Sequence, residues 1–403
     1  MKPLNSRVSR VGRYMQKIYT GIDIGTYHVK VVIAAAPERP DIPMQILGTG
    51  TASSKGMRHG YIIDQSEATR SIREAVGRAS AAAKVAVKSA RVAVGGVSLD
   101  EIRSTADISL TPSGGIVTDA ILSKIRSESE KRASAKLGNR TVIHVIPLEY
   151  RLDGEKVLGS PAGLQGTKLS VDTLLITMLA QHYDDLINAV EKADIEVEDV
   201  MASPLAASFV TLTKSQKTAG VLLANIGAET LSIIVFDNDI PVSVKVFPVG
   251  SSDITNSIAL SFQIPLSEAE SLKRGGVTGS DIPPKKMETV VTARIKEMFA
   301  LIDAHLRSIG RQRLLPAGIV ITGGGSGIVN ANLIARAVLK LPSQTGSVGF
   351  MTRTSSVDAT WAVAYGLCRW AYAEHTSDNG LSFIEVLRHA GDSLKRIVRS
   401  LLP

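Results

Sequence analysis

Short apolar runs alternate along the chain with longer segments in which apolar residues recur every three or four positions. This alternation predicts an α/β fold, because apolar runs are typical of buried strands and the longer period is typical of helices. The runs predict strands over 19–24, 29–36, 44–52, 91–98, 104–111, 141–150, 168–179, 241–249 and 317–322, and a pair within 220–236. The longer segments predict helices over 64–84, 118–137, 181–193, 203–213, 251–262, 267–274, 286–309, 328–339 and 357–373.

One coarse pattern occurs twice. A strand, a tight turn and a second strand are found at 20–36 and again at 220–236, and such turns can present backbone N–H groups to a phosphate. Two such halves predict a nucleotide held in a cleft between two lobes. The segment 91–179 departs from this pattern: predicted strands flank a single helix, and a loop rich in glycine joins the last two strands. It predicts a compact α+β insertion.

Composition and charge narrow the possible functions. Aromatic residues form 4% of the 403 residues, which argues against stacking platforms for single-stranded nucleic acid. The formal net charge is +8, but the body of the chain is nearly balanced, so we expect no nucleic-acid partner. Cys368 is the single cysteine; it excludes an internal disulfide, and we expect it in the core of a protein from a reducing compartment. Five basic residues and no acid stand in residues 1–19: Lys2, Arg7, Arg10, Arg13 and Lys17.

The first loop reads GIDIGTYHVK, residues 21–30. Asp23 ends a strand and can hold a hydrated Mg²⁺, Gly25 lets the backbone approach a phosphate, and the Thr26 hydroxyl can donate to it. A third loop, IVITGGGSG at 319–327, joins a buried strand to three glycines and suits close approach of a ribose or phosphate. Taken singly, each loop is also compatible with an ordinary glycine turn.

The second loop lies within GVLLANIGAETLSIIVF, residues 220–236. Asn225 stands where a turn of this kind usually carries an aspartate, and Ala228 and Glu229 stand where glycines would let a phosphate approach most easily. Glu229 is therefore expected to put an anionic side chain on the phosphate side. The loop predicts a nucleotide site that has lost part of its chemistry.

In this order the three loops resemble the phosphate-1, phosphate-2 and adenosine motifs of the actin and heat-shock-chaperone ATPase superfamily. Within it the chain most resembles the FtsA family of bacterial cell-division proteins. The segments VIHVIPLEYRLDGEKVLGSPAGLQGTKLSVDTLLIT at 142–177, ASPLAASFVTL at 202–212 and SEAESLKRGGV at 267–277 are similar to that family's inserted subdomain, connecting helix and adenosine-side helix. The resemblance implies an α/β, actin-like fold with two lobes, a nucleotide cleft, an inserted α+β subdomain and a C-terminal amphipathic helix.

The resemblance also implies a domain organisation. The expected parts are a basic N-terminal arm, 1–18; lobe 1, 19–90 with 180–213 and 356–373; the inserted subdomain, 91–179; lobe 2, 214–242 with 317–355; a further subdomain of lobe 2, 243–316; a linker, 374–380; and a membrane-targeting helix, 381–403.

The implied cofactor is ATP or ADP with Mg²⁺, the metal being held by Asp23 through water. The expected nucleotide-binding residues are Asp23, Gly25, Thr26, Tyr27, Lys30, Gly227, Glu270, Lys273, Gly323, Gly324, Gly325 and Ser326. No catalytic residue is expected, because Asn225 and Ser203 occupy the two positions that in the superfamily organise the attacking water. An amide cannot act as a base and serine is too short to reach. We therefore expect very weak or absent hydrolysis, with nucleotide binding retained in weakened form or lost.

The last segment, LSFIEVLRHAGDSLKRIVRSLL at 381–402, predicts a basic amphipathic helix. At 100° per residue one face is apolar and the other is charged, which is typical of a helix lying on a membrane surface. A helix packed on its own domain or in a coiled coil is the alternative. The expected membrane contacts are Phe383, Leu387, Leu394, Lys395, Arg396, Ile397, Val398, Arg399 and Leu401. The N-terminal arm is either a solvated tail or a second lipid contact.

The resemblance implies an adaptor at the cytoplasmic face of the cell membrane, at the division site. Its expected partners are the C-terminal peptide of the tubulin-like protein FtsZ, inner-membrane lipids, further copies of itself in filaments, and other division proteins. Arg294 matches a position linked to FtsZ binding, and Lys285, Lys286 and Lys296 make that region basic, which suits an acidic peptide. Two alternatives remain open: the pilus-associated relative of this family, and a small-molecule kinase of the same superfamily.

Overall fold

The structure is a computed structural model and describes residues 17–37, 42–111, 114–276, 282–348 and 358–376. The predicted C-terminal helix, most of the linker before it and nearly all of the basic N-terminal arm lie outside the described residues. Among the helices of the described segments, none is both long and apolar enough to cross a bilayer.

Strands and helices alternate as the pattern predicts. The strands are β1 (Ile18–Ile24), β2 (His28–Ala35), β3 (Gln45–Ser53), β4 (Met57–Arg58), β5 (Tyr61–Ile62), β6 (Ser89–Val94), β7 (Asp100–Ser109), β8 (Gly115–Ile116), β9 (Arg140–Leu152), β10 (Glu155–Val157), β11 (Gln165–Gly166), β12 (Lys168–Leu179), β13 (Glu196–Ala202), β14 (Val221–Ile226), β15 (Leu231–Asp237), β16 (Ile240–Phe247), β17 (Ile319–Thr322) and β18 (Ser343–Thr345). The helices are α1 (Gln65–Ala83), α2 (Asp119–Leu137), α3 (Ala180–Glu191), α4 (Ser203–Thr211), α5 (Lys214–Ala219), α6 (Ser251–Phe262), α7 (Leu266–Lys273), α8 (Pro284–Ser308), α9 (Ala331–Leu339) and α10 (Ala362–Thr376).

Two five-stranded sheets share one topology. The first has the order β3-β2-β1-β6-β13 and the second has the order β16-β15-β14-β17-β18. In each, three strands form an antiparallel meander and two more continue parallel to its first strand. The predicted repetition of a strand–turn–strand pattern is therefore confirmed, and the similarity extends beyond the two hairpins to the whole sheets.

The insertion begins later than predicted, because β6 at Ser89–Val94 belongs to the first sheet, and it forms a sheet of its own. Its four strands are all antiparallel, in the order β10-β9-β12-β7, and α2 packs on one face. A small apolar cluster that includes Ile125 of α2 and Val171 of β12 lies between them. This cluster is separate from those of the two lobes, but Ile146 of β9 and Leu174 of β12 belong to the largest apolar cluster, so the insertion is a compact unit that also packs on the body of the protein.

The two lobes share one core at α4 and α10. A Cβ placed on Gly366 of α10 would lie 1.9 Å from the carbonyl oxygen of Ala206 in α4, so the two helix backbones are in direct contact. The largest apolar cluster surrounds this crossing and includes Val32 from the first sheet and Leu223 from the second. The crossing therefore holds the two sheets in one packed body.

Most departures from the predicted elements have a local cause. The strand β13 was not predicted because its sequence EVEDVMA carries three acids at its exposed end. The helix predicted over 328–339 begins only at Ala331, because a 3₁₀ turn at Gly324–Gly327 takes up the glycines. The helix predicted over 203–213 ends at Thr211, and the separate helix α5 follows it.

The helix predicted over 357–373 begins and ends later than predicted: α10 starts at Ala362, after a 3₁₀ turn at Ala359–Trp361. It continues to Thr376, which places 374–376 in α10 and not in the predicted linker. The reason is an ion pair between Glu374 and Arg91 of β6, with Nη2 to Oε2 at 2.5 Å and both side chains about a tenth exposed. The Arg91 guanidinium also lies 4.2 Å from the centre of the Trp370 ring, so the last turn of α10 is tied to the first sheet.

The helix crossing gives a matched pair of glycine substitutions. Gly366→Ala puts a methyl group against a backbone oxygen and should lower the free energy of unfolding by roughly 1–3 kcal/mol or more. Gly77→Ala in α1 meets nothing within 4 Å and should raise it by roughly 0.5–1 kcal/mol, because alanine has less freedom to lose. Urea unfolding of both variants measures the difference; equal effects would contradict the backbone contact.

Candidate nucleotide-binding site

The three predicted loops meet in one cleft between the lobes. The cleft has a volume of about 540 Å³, which is the size of a typical small-molecule site. The predicted residues that line it are Asp23, Gly25, Thr26, Tyr27, Lys30, Gly227, Glu270, Lys273, Gly323 and Gly324. Residues as far apart as Asp23 and Gly324 therefore come together at the facing ends of the two sheets.

Asp23 and Lys30 face each other at the end of the first hairpin. They are partners in the β1–β2 register, and the Lys30 ammonium donates to the carbonyl oxygen of Thr360 at 2.6 Å. Burial raises the pKa of Asp23 to about 6, while the positive charge of Lys30 works to lower it. Burial also lowers the pKa of Lys30, against the charges of Asp23 and Asp358. The pair forms a partly desolvated patch of opposite charges at the base of the cleft.

The side chains available as metal ligands determine how the cleft could hold a metal ion. No group of three or more His, Cys, Asp or Glu side chains in the described parts of the chain is arranged to ligate an ion directly. Asp23 is the carboxylate at the first loop that lines the cleft. These residues fit a hydrated Mg²⁺ that is shared with nucleotide phosphates, since Mg²⁺ commonly keeps several of its waters.

The second turn is fixed from both sides. The Gly227 N–H donates to the Thr230 carbonyl oxygen at 2.8 Å, and the first amides of α6, at Ser251 and Ser252, donate back to the turn. A Cβ on Gly250 would lie 2.3 Å from the Ala228 oxygen, so only glycine allows this approach. The helix start and the turn therefore form one rigid unit.

The side chain of Glu229 does not lie where the sequence suggested. It is not among the cleft-lining residues of the described chain, whereas its neighbours Ala228 and Thr230 are. Its Oε2 accepts a hydrogen bond at 2.6 Å from the backbone N–H of His59, which belongs to the first lobe. The expectation that this carboxylate faces the phosphate side is wrong, because a backbone donor across the cleft draws it away.

The residues of the third loop lie in two different positions, some on the cleft surface and some behind it. Gly323 lines the cleft with φ 84° and leaves no room for a side chain, since a Cβ there would lie 2.2 Å from Asn225 Oδ1. Gly325 instead packs on Ile226, and the Ser326 hydroxyl donates to the Gly323 carbonyl at 2.7 Å. Gly325 and Ser326 are therefore placed behind the loop, where they shape it, and not on the cleft surface where they were expected.

Glu270 and Lys273 form a half-buried pair at the wall of the cleft. Their charged atoms are 2.6 Å apart, and the Lys273 side chain is 9% exposed. Thr255 donates to Glu270 at 2.6 Å and Arg274 donates to it at 2.7 Å. Burial acts to raise the pKa of Glu270, but these three donors outweigh burial and the pKa is lowered. A pair three residues apart on a helix is often an exposed ion pair, but here the two side chains are only 27% and 9% exposed and are set into the cleft wall.

Ser203 lines the cleft, but its hydroxyl proton is already used in a hydrogen bond to the backbone. Its hydroxyl donates to the Val94 carbonyl oxygen at 3.0 Å, and a Cβ on Gly95 would lie 2.8 Å from the same Oγ. Asn225 is the penultimate residue of β14 and lines the cleft, but an amide carries no charge and accepts no proton at neutral pH. The described cleft therefore holds no general base at either expected position.

Sequence reasoning missed several residues that complete the cleft. Arg274 lies 5.6 Å from the centre of the Tyr27 ring on the opposite lobe, and Thr255 holds both members of the charged pair at α7. Gly95 and Gly96 also line the cleft. The adjacent glycines were a usable signal, but the cross-lobe contact of Arg274 has no signature in the sequence.

Arg294 lies outside the cleft, on α8. It donates from Nε and Nη2 to the hydroxyl of Ser257 in α6, at 3.1 and 3.0 Å, and from Nη1 to Glu297 at 2.6 Å. A separate apolar pocket lies on α6 and the start of α7, lined by Asn256, Ala259, Leu260, Gln263, Ile264 and Leu266. Leu260 is 81% exposed and Leu266 is 58% exposed.

Solved structures show which fold this is. The chain is similar to a structure of the PilM–PilN type IV pilus biogenesis complex, with a TM-score of 0.65 and 18% identity over 88% of this chain and 98% of that one. It is also similar to MreB5 of Spiroplasma citri bound to ADP, with a TM-score of 0.52 and 12% identity over 90% of this chain and 99% of that one. The duplicated sheets, the cleft between them and these likenesses define an actin-like protein with an inserted subdomain.

Sequence comparisons define the family. The profile described as cell division protein FtsA matches residues 222–366, and the profile of the SHS2 domain inserted in FtsA matches residues 96–177. The cell division protein FtsA of Pseudomonas aeruginosa is 27% identical over 82% of this chain and 83% of its own length. That of Escherichia coli strain K12 is 26% identical over 95% of this chain and 97% of its own length. The chain belongs to the FtsA family of cell-division proteins.

Proposed function

We propose that this protein is a nucleotide-binding adaptor of cell division. It holds FtsZ polymers at the cytoplasmic face of the membrane and associates with further copies of itself. The observation that supports the proposal most directly is the meeting of three separate loops in one cleft, in a chain of the FtsA family. Nucleotide, peptide and lipid are assigned to three different parts of the chain.

The nucleotide is proposed to bind without being hydrolysed at a useful rate. Asp23 would hold the hydrated metal, and the amides that follow Gly25 and Gly227 in the two turns, at Thr26 and Ala228, would face the phosphates. Glu270 and Lys273 would meet the nucleoside beside Gly323 and Gly324. Mg²⁺ would neutralise phosphate charge, while Asn225 and Ser203 leave no group to activate water. The bound nucleotide then acts as a brace between the lobes.

This assignment predicts stabilisation without turnover. Mg-ADP or Mg-ATP at about 100 times its dissociation constant should stabilise the protein by about 2.7 kcal/mol, because it binds only the folded state. Lys273→Ala should reduce the shift in melting temperature by removing a cleft cation. Under single-turnover conditions, wild type should release almost no phosphate from ATP. Ser203→Glu with Asn225→Asp restores two carboxylates and should raise the rate.

Two outcomes would contradict this assignment. The absence of any thermal shift at millimolar Mg-ATP would remove the brace. Steady phosphate release by wild type would show that another residue activates the water. Lys340→Ala is the matched control, since this exposed lysine on lobe 2 does not line the cleft.

The FtsZ tail is proposed to dock on α6 and α8. Leu260 and Leu266 offer exposed apolar surface, and Leu260 lies one helical turn after Ser257, to which Arg294 is hydrogen-bonded. Lys285, Lys286 and Lys296 are exposed on α8. An acidic peptide with apolar side chains would match both the pocket and the charge.

Binding of an FtsZ tail peptide tests this surface. Leu260→Glu should weaken binding at least tenfold, about 1.4 kcal/mol, because it places a charge in the apolar pocket and repels an acidic peptide. Leu333→Glu is the control, since Leu333 is also exposed, at 61%, but lies on α9. Fluorescence anisotropy of a labelled peptide measures both. Equal affinities for the two variants would place the peptide site elsewhere.

The terminal helix is proposed as the membrane anchor. Leu394→Glu with Val398→Glu should abolish pelleting with anionic liposomes, since the two charges fall on the apolar face. Ser393→Glu with Ser400→Glu adds the same charge outside that face and should weaken pelleting less, because each nearby cation contributes only about 1 kcal/mol. If the Leu394/Val398 variant pellets as much as wild type, the membrane anchor lies elsewhere, and the N-terminal arm is the next candidate.

Self-association is expected to appear on the same membranes. Many weak anchors linked in one filament bind a surface far more tightly than each alone. Electron microscopy of wild type on lipid monolayers with ATP should show filaments. Isolated particles at every protein concentration would count against assembly.

The two alternatives remain less well supported. The likeness to the PilM–PilN complex is one of fold at 18% identity, whereas the family profiles and curated relatives are those of FtsA. A kinase needs a free carboxylate beside its substrate. In this cleft Glu270 is held by three donors, and Asp23 is the residue proposed to hold the metal.

A further inference from the structure

The turn between β14 and β15 is bonded directly to the opposite lobe. Glu229 Oε2 accepts from the His59 backbone N–H at 2.6 Å, and the Glu229 carbonyl oxygen lies 3.2 Å from His59 Nδ1. The two residues are 170 positions apart in the chain. A hydrogen bond from an N–H group to a carboxylate is among the stronger kinds, and this one spans the edge of the cleft.

The first-lobe side of this contact is held firmly. His59 lies between β4 and β5, with φ 49°, a conformation that is uncommon for residues other than glycine. The adjacent Gly60 packs so closely on Gly96 that a Cβ would lie 2.2 Å from the Gly96 Cα. The Val97 N–H donates to the His59 carbonyl at 3.2 Å. The hairpin is therefore anchored where the chain passes into the insertion.

The same hairpin is anchored again where the chain leaves the insertion. The Tyr61 ring packs on His182 of α3, with 3.8 Å between ring centres and the rings inclined at 37°, and Gln65, at the start of α1, donates to the Asp185 carbonyl at 3.1 Å. A rigid hairpin on one side thus meets the rigid turn that α6 holds on the other. A bond between two rigid elements limits how far the lobes can separate.

We propose that Glu229 is a positioning residue of the cleft: its carboxylate, bound to the His59 N–H, keeps the two lobes closed on each other before a nucleotide enters. This deepens the proposed nucleotide function and rests on it for the effect on affinity. The Glu229 carboxylate thus forms an anionic bridge between the lobes that belongs to the protein itself. If most of the free protein already has a closed cleft, the apparent nucleotide affinity is reduced less by the fraction of molecules in the open state.

The sign of the effect on affinity separates this role from simple charge repulsion. A carboxylate near the phosphates would repel them, so replacing Glu229 by glycine would tighten nucleotide binding. Under our proposal Glu229→Gly opens the cleft and weakens Mg-ADP binding about three- to tenfold, because less of the protein is in the competent conformation. Glu229→Gln keeps an oxygen acceptor for the His59 N–H and should restore most of the affinity.

Interlobe distances in the full-length protein test the closure without nucleotide. Spin labels on Ala81→Cys in α1 and Ala337→Cys in α9 report the separation, as both positions are exposed. Cys368 should stay unlabelled, because it is buried and burial raises the pKa of its thiol to about 12. Pulsed electron resonance should give a narrow distribution for wild type that Mg-ADP barely changes. Glu229→Gly should broaden it toward longer distances, and Mg-ADP should narrow it again.

His59→Asn is the matched control. It keeps the backbone donor and suits the left-handed conformation, so its distances should match those of wild type. Unchanged distances in nucleotide-free Glu229→Gly would overturn the proposal, as would tighter Mg-ADP binding by that variant. If wild type binds no nucleotide at all, the proposed function fails, but the distances without nucleotide still decide whether Glu229 holds the lobes together.

Discussion

The contact between the backbones of α4 and α10 is the constraint on which the rest of the structure depends. Each lobe has its own sheet, and the two sheets touch one apolar cluster because these helices cross where Gly366 meets Ala206. A second close approach, with a Cβ on Gly21 only 2.1 Å from the Ala364 oxygen, sets β1 against α10. Small residues at these positions let α10 pack tightly on β1 and α4, and α4 in turn contacts β14 and β15 of the second sheet, so the turns of the two halves face each other.

Once the sheets are set in this way, the cleft follows from their shared topology. The central strands β1 and β14 end in equivalent tight turns, so Asp23 and Asn225 lie at corresponding points of the two halves. The chemistry at these points is not equivalent. One half keeps a carboxylate beside Lys30, and the other has an amide packed on Gly323. A site of this kind suits the binding of a charged ligand better than the activation of water.

The charged side chains around the cleft mainly form contacts with other parts of the protein. Glu229 accepts from the opposite lobe, Arg274 lies over Tyr27, and Glu270 holds Lys273. Away from the cleft, Arg91 and Glu374 tie the last helix to the first sheet. Except for the exposed Arg274, each of these charged side chains is partly buried and has a partner, which is what makes a charge tolerable inside a fold. The proposed brace and the proposed closure both use this arrangement.

The sequence by itself determined the order of the elements, the two equivalent hairpins and the residues of the three loops, because apolar period and glycine position depend on local backbone geometry. Most of the predicted cleft residues do line the cleft for that reason. Only the tertiary structure decided which way certain side chains face: Glu229 turns to a backbone donor 170 positions away, and Gly325 packs on Ile226. It also decided that α10 continues through Glu374, because the stabilising partner, Arg91, comes from a distant strand. Partners that are remote in the chain leave no periodic signal, so such contacts become visible only when the lobes are packed together.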